Sequence, residues 1–236
     1  MVQATLYLIE EALKSTRSYN YFFLISESCF PIKTPAQISS ILSGGGEFIS
    51  VEKQVDIEHP KCLHDTYASQ YYQNDFFFLN SKFEAKDKNH YLLRRLSLAF
   101  LLRINRYSKP RRYPGNFPIY RGSQWWCLSG EAIKYLLRFL KENGKTIRFF
   151  RYTHCPDEMF FQTILMNSNF RKKVLPKDAN HDCGSHYIEW VSTKGRQPKV
   201  LTEKDYNNII NSKAMFTRKM ESKVSQSLIE KLEKYF

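Results

Sequence analysis

Leu6, Leu8, Ile9 and Leu13 recur between polar positions at helical spacing and predict an amphipathic helix over 2–15, while the apolar run YFFLI at 21–25 predicts a buried strand. FPIKT at 30–34 turns the chain away, a helix is expected over 36–42, and Gly44, Gly45 and Gly46 break it before a short strand at 47–51. Periodicity then lapses. Residues 52–89 are polar, irregular and rich in Tyr and Phe, 90–104 reads as a basic amphipathic helix, and a Pro- and Arg-rich linker runs to 118, so 52–118 reads as one excursion from the domain. The strand YRGSQWWCL at 120–128 resumes the pattern, followed by a helix over 131–140 with Ile133, Leu136, Leu137 and Leu140 on one side and a further helical stretch after Gly144. Strands at 186–190 and around Val200 and helices over 203–210 and 224–235 complete the chain. Helix and strand alternate without an internal repeat, which predicts one mixed α/β domain over 1–236.

Within that pattern CPDEMFFQTIL at 155–165 stands out. Pro156 opens a predicted helix, Asp157 and Glu158 fall in its first turn, and Met159, Phe160, Ile164 and Leu165 form its inward face. Acidic groups there complement the partial positive charge of a helix start. A carboxylate in that position is also able to serve as a base. The tract alone does not choose between the two roles.

Composition narrows the partners more than the fold. Forty-two per cent apolar and 15% aromatic content over 236 residues suits a packed globular core. No apolar run approaches the roughly 20 residues of a membrane span, and no signal-peptide pattern opens the chain, so a soluble or peripheral protein is expected. The net charge of +13 is concentrated. Arg94, Arg95, Arg103, Arg106, Lys109, Arg111 and Arg112 lie in one segment with no acidic residue between them, so that segment requires open water or an anionic neighbour, be it nucleic acid, an acidic membrane surface or a phosphorylated substrate. Cys29, Cys62, Cys127, Cys155 and Cys183 are odd in number and lack a Cys-x-x-Cys pair, so neither a disulfide framework nor a zinc site is indicated. A reducing compartment is the simplest home.

Taken in order, LISESCFPIKT, GSQWWCLSGEAIKYLL, CPDEMFFQTIL, YIEW and MFTRKM resemble the core-2/I-branching β-1,6-N-acetylglucosaminyltransferases, in particular their bacterial relatives, over nearly the whole chain. That resemblance implies a GT-A-like α/β glycosyltransferase domain, a mixed sheet flanked by helices. It further implies metal-independent, inverting transfer of a sugar, N-acetylglucosamine above all, from a UDP-sugar to a hydroxyl of a glycan acceptor. Such chemistry needs a carboxylate to take the acceptor proton and positive charge to stabilise the departing diphosphate.

The resemblance gives Glu158 the role of base, with Asp157 as its structural neighbour. It places Arg196 and Lys219 on the diphosphate in place of a metal ion, and the sequence contains no Asp-x-Asp motif. Trp190 matches a tryptophan lining the acceptor sugar. Trp125 and Trp126 are adjacent in a strand and must face opposite sides, so one, taken to be Trp125, faces the cleft and the acceptor while the other packs in the core. Ser123 is a secondary candidate beside them. Where animal members carry an acceptor-binding glutamate this chain has Ser50, with Glu52 two residues on, and Ser192 stands where they carry a tyrosine. The family also has strands before the first helix that contact uracil and ribose; on that resemblance the chain is expected to open inside the domain, and a sheet lacking those strands to expose an apolar edge. Set against the family's secreted-pathway members, the chain is expected in a cytoplasmic setting.

No cofactor and no metal are expected beyond the UDP-sugar itself. Peripheral contact with the acidic inner membrane face fits the charge. A xylosyltransferase of the same family, an inactive fragment, and a nucleic-acid-binding protein carrying the 94–112 cations are the competing readings. No nucleic-acid motif accompanies those cations.

Overall fold

A computed structural model describes residues 2–59, 61, 65, 68–69, 111–115, 117–176, 183–191 and 197–235. The predicted helix at 90–104, most of the basic segment and Arg196 lie outside the described residues. Helix α1, Val2–Leu13, buries Val2, Thr5, Leu6 and Ile9, the spacing of one helical face. Leu8 belongs to the opposite side and is 66% exposed, so its expected place on the packed face is corrected.

Among the described residues the strands form two three-stranded sheets and a small ribbon, flanked by helices as expected. In the first sheet β4, Ile119–Ser129, lies between β1, Tyr21–Phe23, and β3, Phe48–Val55, and both pairings are antiparallel. In the second, β8, Phe216–Arg218, lies between β2, Phe30–Pro31, antiparallel, and β5, His186–Ile188, parallel. The ribbon pairs β6, Trp190–Val191, with β7, Gln197–Pro198. The strand expected around Val200 therefore ends before it. β1 was expected to be buried; Tyr21, Phe22 and Phe23 are half-buried, and among the described residues β1 has a strand neighbour, β4, on one side only.

Helix α2, Pro35–Ser43, starts as its sequence dictates. Thr34 and Gln37 form a reciprocal capping box around Pro35, satisfying two backbone donors that the helix start leaves without partners. Gly45 and Gly46 then take positive φ, and a side chain at Gly46 would collide with Leu175. Helix α3, Gly130–Glu142, is capped by Ser129, whose own N–H and hydroxyl donate to the fully buried Glu47 at 2.8 and 2.6 Å. Burial pushes the Glu47 carboxyl above the usual range against the opposing pull of Ser129, which ties the start of α3 to the end of the glycine break.

Helix α4, Gly144–Arg151, ends on Arg111. That arginine was read as needing water or an anion, but it is 5% exposed and donates to the carbonyls of Phe149 and Tyr152 and to the Thr153 hydroxyl, with its guanidinium over the Phe149 ring. The unpaired carbonyls of a helix C-terminus carry partial negative charge and serve as its counterion.

The largest core lies between α1, the first sheet, α3, α4 and helix α5, Phe160–Met166, and holds Trp126, Phe150, Phe160, Phe161, Leu136 and Ile164. Truncating one such aromatic to alanine costs about 3–5 kcal/mol. A second core joins Ile32, Leu201, Ile209, Met220, Leu228 and Leu232, packing β2 and β5 with helix α6, Tyr206–Ile210, and helix α7, Gln226–Glu233. Phe48, Cys127 and Met215 connect the sheets.

Candidate active site

The expected helix start at Pro156 is two elements. Cys155 adopts a left-handed backbone, φ 47°, and reverses the chain; Pro156–Glu158 then forms an isolated 3-10 turn, and Met159 at φ −130° separates it from α5. Nor is α5 amphipathic. Every residue from Phe160 to Leu165 is buried, Gln162 and Thr163 included, so the chain must re-aim after Glu158 to enter the core. The two polar residues find partners on β4: Gln162 donates to the Ser123 carbonyl at 2.6 Å, and Thr163 both accepts from the Tyr120 N–H and donates to its carbonyl. These bonds dock the start of α5, and the turn before it, against β4.

That docking brings Glu158 to Arg121. Arg121 Nε lies 3.5 Å from Glu158 Oε2, and its Nη1 lies 3.1 Å from Glu52 Oε2. The β3–β4 register explains why Glu52 is there. Val51 pairs with Gly122 and Lys53 with Arg121, leaving Glu52 as an extra residue in a bulge. A side chain on Gly122 would meet the Ser50 carbonyl at 1.6 Å, so only glycine permits this approach. The bulge, not simple alternation from Ser50, aims Glu52 at the guanidinium; Ser50 itself is 5% exposed.

Burial raises the Glu158 carboxyl above its ordinary value, the Arg121 charge opposes that rise, and Asp157 and Glu52 add to it. Asp157 is 8% exposed and is likewise raised, first by burial. The neighbouring Cys155 thiol is pushed up to about 11 by burial and then by Glu158 and Asp157, so it is neutral near pH 7. Among the described residues Glu158 thus faces one cation and two other carboxylates, while its side chain remains a third exposed.

The other predicted residues fall into a second group. Trp125 and Trp126 do face opposite sides: Trp126 is 1% exposed against Phe161, whereas Trp125 faces the second sheet, with the Arg218 guanidinium 4.3 Å from its ring centre and His186 at 5.4 Å. Arg218 Nη1 donates to the Ser26 hydroxyl at 2.8 Å, while Arg218 Nε and His186 Nε2 have no hydrogen-bond partner among the described residues. His186 is pushed down to about 3 by burial and then by Arg218, and is neutral. Ser123 Oγ accepts from the Trp125 N–H, a local role. Trp190 is 47% exposed on its ribbon. Lys219 donates to Glu221 at 2.6 Å.

Lys199 joins Trp190's ribbon to Lys219. Its N–H donates to the Glu189 carbonyl at 2.8 Å, its carbonyl accepts from the Lys219 N–H at 3.4 Å, and its Nζ bonds Glu189 at 2.8 Å and Asp205 at 2.7 Å. The structure therefore unites Glu52 with Glu158, and Trp190 with Lys219, but the described contacts do not link the two pairs directly. β4 carries members of both neighbourhoods, Arg121 and Trp125.

Sequence reasoning passed over Arg121, Arg218, His186 and Lys199. For Arg121 a signal existed, a lone charge inside an otherwise buried strand, which has to be paired.

Residues 1–210 match the Core-2/I-Branching enzyme family. The chain belongs to that family. It is 23% identical over 242 residues to xylosyltransferase oxt of Drosophila pseudoobscura pseudoobscura, covering 96% of this chain and 24% of that protein. It is 29% identical to beta-glucuronosyltransferase GlcAT14A of Arabidopsis thaliana over 46% of this chain and 24% of that protein, and 27% identical to xylosyltransferase 1 of Rattus norvegicus over 53% and 16%. The chain therefore spans about a quarter or less of these relatives' lengths. The mixed α/β architecture is the one expected of a glycosyltransferase domain of this family. No described helix is long and apolar enough to cross a membrane.

Proposed function

We propose that this chain is a GT-A-like, inverting glycosyltransferase domain that moves a sugar from UDP to a glycan hydroxyl, with Glu158 as general base. The observation that carries the reading is a half-buried carboxylate whose burial raises its proton affinity, steered by a guanidinium and still open to solvent. As the acceptor oxygen bonds to the anomeric carbon, Glu158 takes the hydroxyl proton. The bond from that carbon to the diphosphate breaks with its electron pair leaving on the phosphate oxygen. Lys219 and Arg196 stabilise that charge, and the platform for the acceptor is the exposed indole of Trp190. Ser123 and Trp125 line the same strand as Arg121, and Glu52 acts through that arginine.

The donor is UDP-N-acetylglucosamine, with UDP-xylose the second reading, favoured by the relatives named as xylosyltransferases. Transfer proceeds without a metal. The setting is cytoplasmic, with the net positive charge of +13 favouring peripheral contact with the acidic membrane face. A panel of UDP-sugars assayed with and without EDTA, in the native chain and in Glu158→Gln, tests these statements together. Transfer that survives EDTA and falls by about 10²–10⁴ in the variant supports them; a requirement for manganese overturns the metal-free step, and full activity of Glu158→Gln overturns the base.

A further inference from the structure

We infer that Arg121 is a positioning residue divided between Glu52 and Glu158, and that Glu52, by holding the guanidinium away, leaves Glu158 oriented but basic. The inference rests on the reading of Glu158 as base. Arginine stays protonated at all relevant pH, so the charge between the two carboxylates is permanent. Its two ends are not equivalent. Nη1 makes a 3.1 Å ion pair with Glu52, whereas Nε is 3.5 Å from Glu158 and has no hydrogen-bond partner among the described residues.

A guanidinium that met Glu158 with its two-pronged edge would hold the carboxylate in two charge-assisted bonds and depress its proton affinity by the ~1–3 units typical of a close opposite charge. A base so neutralised accepts a proton poorly. Here the single loose contact of Nε supplies direction, while Nη1 is turned to the bulge residue. Arg121 is itself fixed: its side chain is 13% exposed, and the paired strands on either side of it set its origin. Glu52 owes its place to the bulge opposite Gly122. A glutamate in regular register there would point elsewhere.

The described charged and titratable groups facing Glu158 are Arg121 from β4, Glu52 from β3, Asp157 from its own turn and Cys155 before it. His154 faces Asp157 and is lowered by its own burial. Glu52 and Arg121 act on Glu158 in opposite directions, and this is what makes the arrangement testable without an assay of catalysis.

The experiment is a carboxyl titration by NMR of the protein labelled with carbon-13 at the glutamate side-chain carboxyl, the Glu158 signal being the one lost in Glu158→Gln. Glu52→Gln removes a like charge and releases the guanidinium, so the Glu158 midpoint is expected to fall. Arg121→Gln is expected to raise it by about one pH unit. Arg121→Lys keeps the charge without the fork and is expected to lie between native and Arg121→Gln. A purely structural arginine changes the melting temperature and leaves the midpoint in place; an unmoved midpoint in folded Arg121→Gln, or a rise in Glu52→Gln, overturns the inference. If Arg121→Gln does not fold, the directions in Glu52→Gln and Arg121→Lys decide it. Shifts as expected alongside a fully active Glu158→Gln would sink the base and leave the clamp standing.

Discussion

Glu52–Arg121–Glu158 and Glu189–Lys199–Asp205 each place one cation between two carboxylates, and they differ in how completely the charges are satisfied. In the second, Lys199 Nζ reaches its partners at 2.8 and 2.7 Å, and Asp205 also accepts from the N–H and hydroxyl of Thr202. Burial alone would raise Asp205, but the combined bonds from Lys199 and Thr202 outweigh it and hold the carboxyl low; the same bonds to Asp205 and Glu189 hold the Lys199 ammonium high. Around Arg121 one ion pair is close, at 3.1 Å, and the other is loose, at 3.5 Å, so burial prevails at Glu158. The same charges produce a brace in one place and a group with spare proton affinity in the other. Incomplete pairing is what distinguishes the proposed chemical site from the structural one here.

The strongest way to break the comparison is to neutralise one acid in each cluster. Glu158→Gln is expected to cut transfer by about 10²–10⁴ without loosening the fold, read by turnover and by melting temperature. Asp205→Asn is expected to do the reverse, destabilising the fold by about 2 kcal/mol in urea titration as a buried acceptor of charge-assisted bonds is weakened. Equal effects on activity and stability from both would dissolve the distinction.

Acid separates the clusters in time. Glu158 is raised, so its base form is lost as pH falls through a value above 4.5; Asp205 is lowered, so its stabilisation is full above 3.8 and is lost only below that as pH falls through its depressed value. Activity is expected to vanish on acidification before this part of the fold weakens, and the order is checked by following turnover and far-ultraviolet circular dichroism through the same series. The smallest effect concerns Lys199, a third exposed at its side chain. Lys199→Gln is expected to cost about 1 kcal/mol and to loosen the ribbon that presents Trp190, seen as a rise in acceptor KM with kcat little changed.

Much of the helical framework was legible in the chain. Val2–Leu13, Pro35–Ser43 and Gly130–Glu142 follow from spacing, capping residues and glycine breaks that act within a few residues. The opposed faces of Trp125 and Trp126 were legible for the same reason, because strand alternation is local. The carboxylates of the Pro156 tract were recognised but misplaced: nothing within the tract reveals that Met159 leaves the helical path or that α5 is enclosed on every side. Arg111 was misread because its counterion is a helix end separated from it in sequence.

By itself, then, the order of residues determined where helices such as α2 and α3 start, which strand positions alternate and which acids, bases and aromatics are available for chemistry, since those depend on backbone preference and neighbours along the chain. Tertiary structure alone decided that Arg121 stands between Glu52 and Glu158, that Arg218 lies on Trp125, and that Lys199 is braced on both sides. Each of those meetings depends on the register of strands or the docking of elements far apart in sequence, and a one-residue bulge is enough to redirect the side chain that makes the site.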